Sequence, residues 1–221
     1  LNAMGAIITG AGTSQVKIIG VEKLHSAHHK IVADRIEAGT YAIAAGITGG
    51  CVKLIGVQMS LFRGFKEELE KAGIQLTEIS EDEIEVKRVS EKIQPVSITT
   101  HPFPGFPTDM QAQFMSLMTL ADGTSTIEET IFENRFMHVM ELVRMGANIE
   151  SHGNISVVKG VKKLTGAEVM ATDLRASVSM VLAALVADGE TTINRLYHLE
   201  RGYERLAEKL ISCGADIKIL Y

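Results

Sequence analysis

The chain has no tryptophan, only four prolines, two cysteines and 5% aromatic residues in 221. Without tryptophan, and with so few rings, it is poorly supplied with the stacking platforms that hold single-stranded nucleic acid. Two cysteines, Cys51 and Cys213, are too few for a disulfide scaffold and suit a reducing compartment, so a cytoplasmic location is expected. Basic charge is also scarce. Lysine plus arginine is 22 against 27 for aspartate plus glutamate, a formal net charge of −5, whereas a dominant nucleic-acid role favours a basic balance. No uncharged stretch approaches the ~20 apolar residues that cross a bilayer, so no membrane partner is expected. No basic segment precedes an apolar one at the start, as a signal peptide would require. No cluster of cysteine, histidine and acidic residues has metal-ligand spacing. His25, His28 and His29 read as a solvated turn, and no metal or other cofactor is expected.

What the chain has is enough apolar residue, 46%, to bury a sizeable core, and an internal repeat. Gly5, Gly73, Gly146 and Gly214 each close a helix and precede an apolar strand start, at intervals of 68, 73 and 68 residues. Leu1–Met4 reads as the last turn of a helix ended by Gly5, as in a piece cut from something longer. The runs 16–24 and 155–164 both alternate apolar and polar residues and then turn at glycine, as half-buried strands do. Gly10-Ala11-Gly12 lacks a third glycine and reads as a hairpin turn.

Each unit carries an aspartate followed by a helix that is apolar on all sides: Asp34 before 40–47, Asp109 before 114–120 and Asp173 before 178–186. A helix apolar all round is buried. A glycine turn and a strand-forming run follow each one. An amphipathic second helix comes next, expected over 63–71, 134–145 and 201–212. Three such β-α-β-α units are too small to bury their central helices separately. The economical solution is an α/β fold with three buried helices packed together and the sheets outside, an inside-out α/β barrel.

The aspartates have two readings. A carboxylate at a helix start can cap free N–H groups, or it can serve as a base. Arg63, Arg135 and Arg201 fall at or near the starts of the second helices, where a cation is unfavourable unless an anion binds with it. Each is otherwise a solvated surface arginine. Three of the four prolines fall in His101-Pro102-Phe103-Pro104-Gly105-Phe106-Pro107, which reads as a rigid, extended lead-in to Asp109.

Four runs are more specific: Phe106-Pro107-Thr108-Asp109-Met110-Gln111-Ala112-Gln113-Phe114, Glu133-Asn134-Arg135-Phe136-Met137-His138, Ala171-Thr172-Asp173-Leu174-Arg175-Ala176-Ser177 and Arg201-Gly202-Tyr203-Glu204-Arg205. In this order they resemble the C-terminal part of bacterial UDP-N-acetylglucosamine enolpyruvyl transferases (1-carboxyvinyltransferases), from Gly5 to Leu220. That family moves an enolpyruvyl group from phosphoenolpyruvate to the 3-hydroxyl of UDP-N-acetylglucosamine, the first committed step of peptidoglycan synthesis, and releases phosphate. The resemblance implies two inside-out α/β domains, of which residues 25–221 would form one. Residues 1–24 would be the tail of the missing N-terminal neighbour and the crossing linker. It implies that Asp109 is the general base beside the sugar hydroxyl and that the Ile131 backbone holds the nucleotide-sugar. Arg135, Arg175 and Arg201 would face phosphoenolpyruvate, and Glu133 and Asp173 would orient those arginines. The family's N-terminal lysine–asparagine pair and its reactive-cysteine loop have no counterpart, so the chain alone is expected to be inactive. The shikimate-pathway relative shares fold and chemistry and remains the close alternative. A non-catalytic nucleotide-sugar-binding domain is the alternative from a different class.

Overall fold

The computed structural model describes residues 1–220. Tyr221, the last residue of the expected 25–221 domain, lies outside the described residues. The chain divides into a small unit, Leu1–Ala33, and a large one that begins at Asp34.

In the small unit a single 3-10 turn, Asn2–Met4, ends at Gly5 in the left-handed region, φ 94°. Two short antiparallel strands follow, β1 (Ile7–Thr9) and β2 (Lys17–Ile19), with Ile7 opposite Ile19 and Thr9 opposite Lys17. The Thr13 hydroxyl closes the turn between them by donating to the carbonyls of Gly10 (2.7 Å) and Gln15 (2.9 Å). The expected half-burial of the second strand is not found: all three β2 residues are exposed. A two-stranded ribbon of this length has no covering layer within its own unit.

The large unit runs α1 (Arg35–Thr48), β3 (Cys51–Ile55), α2 (Lys66–Lys71), β4 (Ile74–Ser80) and β5 (Glu83–Arg88). It continues β6 (Ile98–Thr99), α3 (Gln111–Met118), β7 (Thr124–Glu128), α4 (Met137–Arg144), β8 (Asn148–His152) and β9 (Ile155–Lys159). The last part is β10 (Glu168–Met170), α5 (Val178–Ala184), β11 (Thr192–Asn194), α6 (Tyr197–Glu200) and α7 (Leu206–Ser212). The sheets are ordered β3-β5-β4, β6-β7-β9-β8 and β10-β11. The repeat is visible in their pairing. β6 and β7 are parallel around α3, and β10 and β11 are parallel around α5. Antiparallel hairpins follow Gly5, Gly73 and Gly146 in the same relation.

The core lies where the sequence puts it. All eight residues of α3 are buried, as are ten of α1 and six of α5, and the three helices touch one another. Phe114, Met115, Leu117 and Met118 are fully enclosed, each burial contributing about 1.5–3 kcal/mol. Strands β7 and β9 alternate buried and more exposed residues, turning one face to this core.

The second helices begin later than expected, at Lys66, Met137 and Leu206. The reason recurs in each unit. Gly64 (φ 94°), Asn134 (φ 58°) and Arg205 (φ 50°) hold left-handed backbone just ahead, which a right-handed helix cannot include. Arg63 therefore stands before the break, Arg135 in the connection to α4, and Arg201 at the C-terminal end of α6. The expectation of an arginine at or near the start of each second helix holds for Arg63 and Arg135, just ahead of α2 and α4, and is corrected for Arg201, which ends α6.

Gly160 records how tightly the layers approach. A Cβ there would sit 1.7 Å from the Ala121 carbonyl oxygen, while its N–H donates to the Gly123 carbonyl at 2.9 Å. Gly160→Ala is expected to destabilise the chain by about 2–3 kcal/mol, because backbone must move against backbone. Gly20→Ala, with nothing within 4 Å, should change stability by less than about 0.5 kcal/mol. Urea unfolding midpoints of the two variants check this. Equal midpoints would mean that the close approach relaxes without cost.

Candidate functional site

The N-terminal ends of α1, α3 and α5 carry Asp34, Asp109 and Asp173, and the three carboxylates behave differently. Asp34 caps α1, accepting from the N–H groups of Ile36 (2.8 Å) and Glu37 (3.4 Å). Asp173 caps the turn into α5, accepting from the N–H groups of Arg175 (2.6 Å) and Ala176 (2.8 Å). Asp109 lies in a 3-10 turn, Thr108–Met110, and caps nothing. Its Oδ1 accepts from Arg135 Nη1 at 2.8 Å and its side chain is 41% exposed. The capping reading holds for two of the three and fails for Asp109.

Two arginines link these carboxylates. Arg135, 16% exposed, donates to Asp109 and to the Thr108 hydroxyl (2.9 Å), and its Nη2 is 3.6 Å from Asp173 Oδ2. Its guanidinium also lies 5.3 Å from the centroid of the Phe132 ring. Arg175 donates to Asp34 Oδ2 (2.6 Å) and to the Gly202 carbonyl (2.7 Å), and lies 5.4 Å from the centroid of the Tyr203 ring. Beneath them the Tyr203 hydroxyl meets Thr40 Oγ1 (3.0 Å) and accepts from Gln113 Nε2 (3.1 Å). The same Gln113 amide donates to the Asp109 carbonyl at 2.7 Å. Side chains from α1, from α3 and from the turn into α5 thus meet at one end of the core.

Burial alone would raise the Asp34 and Asp173 carboxyls. It is outweighed, so both sit below the ordinary value. Asp34 is held down by the Arg175 hydrogen bond and the N–H groups of Ile36 and Glu37. Asp173 is held down by the N–H groups of Ala176 and Arg175 and by the charge of Arg135.

His138, on α4, is fully buried, and neither ring nitrogen finds a hydrogen-bond partner among the described residues. Burial pushes its pKa down to about 4, with Asp173 pulling it up and Arg135 adding to the depression. A folded-state pKa below the unfolded value means the unfolded chain binds the proton first. Stability from neutral His138 is therefore present above about pH 6.5 and lost as pH falls toward 4. The loss between pH 7 and pH 5 is expected to be about 2 kcal/mol, and His138→Leu should flatten it. Urea midpoints at the two pH values test this; parallel curves for both proteins would assign the loss elsewhere.

The expected site residues divide. Asp109, Arg135, Asp173 and Arg175 come together. Ile131 is joined to them indirectly: its N–H donates to Glu129 Oε1 at 2.8 Å, and its carbonyl accepts no hydrogen bond among the described residues. The Arg201 and Glu133 side chains are exposed and make no hydrogen bond or ion pair with the described residues, so the structure does not show Glu133 orienting an arginine. The proline-rich lead-in is not extended. The His101 N–H donates to the Phe106 carbonyl (2.9 Å) and the Gly105 N–H to the Pro102 carbonyl (2.9 Å), closing a tight loop. Its anchor is buried Phe106, edge-on to Phe114 at 5.4 Å. Both cysteines are exposed thiols.

Sequence reasoning missed Glu129, Gln113 and Tyr203 as parts of this arrangement. Gln113 had a signal, a polar residue inside an otherwise buried helix. Glu129 had only its place at the end of a strand run, since its partners Thr100 and Thr108 lie 29 and 21 residues away.

Half-buried guanidinium groups beside a carboxylate with an open oxygen can bind a small polyanion and take a proton from a neighbouring hydroxyl. Fold and site together define an α/β protein of internal repeats whose helical core ends in a cluster of arginines and carboxylates. The chain belongs to the EPSP synthase (3-phosphoshikimate 1-carboxyvinyltransferase) family, whose model matches residues 1–210. It is 58% identical over 218 residues to the UDP-N-acetylglucosamine 1-carboxyvinyltransferase of Rhodopseudomonas palustris and 59% identical to that of Brucella ovis. Each match covers 99% of this chain and 51% of the relative, so the chain spans about half the length of the curated relatives it matches. Among solved structures it is similar to the enolpyruvyl transferase NikO from Streptomyces tendae, with TM-score 0.88 and 28% identity over 98% of this chain and 52% of that one. EPSP synthase from Acinetobacter baumannii, at 20% identity and TM-score 0.77 over 100% of this chain and 54% of that one, shares the fold. No described helix is long and apolar enough to cross a membrane.

Proposed function

We propose that this chain is the C-terminal half of a UDP-N-acetylglucosamine 1-carboxyvinyltransferase, a cytoplasmic enzyme of peptidoglycan synthesis. Residues 25–221 would make one inside-out α/β domain, and residues 1–24 would close the last repeat of a neighbouring N-terminal domain and cross between the two. The hairpin after Gly5, equivalent to those after Gly73 and Gly146, supports the second assignment. The identity to the curated relatives favours the nucleotide-sugar acceptor over shikimate 3-phosphate.

The observation that carries the catalytic reading is that Asp109 alone among the three aspartates caps no backbone, leaving its carboxylate for chemistry. Asp109 takes the proton of the sugar 3-hydroxyl as that oxygen adds to the double bond of phosphoenolpyruvate. Arg135 and Arg175 supply the positive charge that the carboxylate and phosphate require, and Asp173 and Asp34 hold them in place. Arg201, exposed on the loop after α6, would join them only by moving toward bound substrate. Ile131 presents its free carbonyl to the nucleotide-sugar. The acid that protonates the methylene carbon would come from the other half of the protein.

The test is reconstitution. The chain is mixed with the N-terminal half of the Brucella ovis relative, and phosphate release from phosphoenolpyruvate is followed with either acceptor. Release that needs both halves and UDP-N-acetylglucosamine is expected. Release only with shikimate 3-phosphate would move the protein to the other pathway. No release, where the relative's own two halves are active together, would remove the catalytic reading in favour of a binding domain.

A further inference from the structure

Glu129 follows β7 and is only 2% exposed, yet it belongs to none of the pairs that touch Asp109 directly. Its two oxygens accept four hydrogen bonds. Oε1 takes the Thr100 hydroxyl (2.8 Å) and the N–H groups of Ile131 (2.8 Å) and Phe132 (3.1 Å). Oε2 takes the Thr108 hydroxyl at 2.8 Å. Thr108 in turn accepts from Arg135 Nη1 at 2.9 Å, and the same nitrogen holds Asp109 at 2.8 Å.

The chemistry of this chain of contacts fixes its direction. A carboxylate only accepts and a guanidinium only donates. Thr108 stands between them with one proton to give. Glu129 takes that proton, so the hydroxyl lone pairs face Arg135 and hold the guanidinium against Asp109. The other Glu129 oxygen shapes the Ile131–Phe132 turn. Burial raises the stakes, because a missing partner in such a network is costly.

From this geometry we infer that Glu129 is a positioning residue, acting through Thr108, that sets the Asp109–Arg135 pair in register with the Ile131 turn. The inference rests on the proposed function insofar as the turn meets the nucleotide-sugar and Asp109 the hydroxyl. It makes one buried carboxylate responsible for aligning the acceptor with its base.

The experiment separates the two arms of Glu129. Thr108→Val removes the relay and leaves the turn held. Glu129→Gln keeps an acceptor for the turn but presents an amide to Thr108, so the hydroxyl proton loses its acceptor. In the reconstituted enzyme both variants are expected to lower kcat by roughly 10- to 100-fold, with KM for the nucleotide-sugar within about 2-fold. Thr108→Ser should restore kcat to within about 3-fold of the original. A second readout uses the 221-residue chain alone. The Arg135 guanidinium NMR signals should show hindered rotation in the original chain and in Thr108→Ser, and faster rotation in Thr108→Val and Glu129→Gln, where only Asp109 and Asp173 still hold it. The Ile131 and Phe132 amide signals should stay in place in both Thr108 variants, because their acceptor on Glu129 is unchanged there. Unchanged Arg135 signals in Thr108→Val overturn the inference, as does unchanged kcat where the original protein turns over. If the original assembly shows no turnover, the functional reading fails, and the Arg135 signals still decide whether the relay exists.

Discussion

Asp109→Asn is expected to cut kcat of the reconstituted enzyme by about 1,000-fold while leaving the unfolding midpoint of the chain close to its original value. The reasoning begins with what the substitution spares. An asparagine oxygen can still accept from Arg135 Nη1, now 2.8 Å from Oδ1, and no helix cap is lost because Asp109 supplies none. What disappears is the ability to take a proton. KM for phosphoenolpyruvate should change much less than kcat, since Arg135 and Arg175 remain. Turnover within about 3-fold of the original would reduce Asp109 to a holder of Arg135 and shift the base elsewhere.

Arg175→Ala is expected to destabilise the chain by about 2–3 kcal/mol. Arg175 is 16% exposed and joins three parts of the fold: Asp34 at the start of α1, the Gly202 carbonyl after α6, and the face of Tyr203. Its removal leaves a half-buried carbonyl without this donor and the Asp34 carboxylate without its counter-charge. Asp34 is 37% exposed, so solvent screens part of that pair, and its share is about 1 kcal/mol or less. A double-mutant cycle with Asp34→Ala, read by urea unfolding, isolates it. Non-additive losses are expected. Additive losses would mean that the ion pair contributes nothing and that the carbonyl and the ring carry the effect. Arg175→Lys should recover little, because a point charge cannot serve the carboxylate and the carbonyl together.

The legible parts of this protein were those governed by periodicity. Helices α1, α3 and α5 announce themselves because no polar face interrupts residues 40–47, 114–120 and 178–186, and Gly49 closes α1 with φ 73° as its sequence suggests. The starts of the second helices were not legible. Asparagine tolerates left-handed backbone, so Asn134 carried a weak local signal, but Arg205 carried none, and the break there moved Arg201 away from a helix start. The lead-in to Asp109 was misjudged for a related reason: proline restricts single dihedrals, but whether a run extends or bends depends on what anchors it, here Phe106 against Phe114. At the site, Asp109, Arg135, Asp173 and Arg175 could be named from their motifs. Their pairing could not, because Arg175 reaches Asp34 across 141 positions of chain. Glu129 was invisible for the same cause, since a carboxylate becomes a hub only when distant hydroxyls are folded against it.

The linkage of Asp34, Asp109 and Asp173 through two arginines has a consequence for how the chain matures. Arg175 comes from α5's approach and Arg135 from that of α4, whereas Asp34 opens α1. Until the last of the three units docks, Asp34 lacks its guanidinium and Arg135 lacks the Asp173 carboxylate beside it. The full cluster of arginines and carboxylates therefore cannot exist in a chain whose final unit is absent or melted, however well the first two are formed. An intact cluster is thus a report on completed assembly, because a nascent or partly unravelled molecule leaves Asp34 without the guanidinium that the closed core supplies.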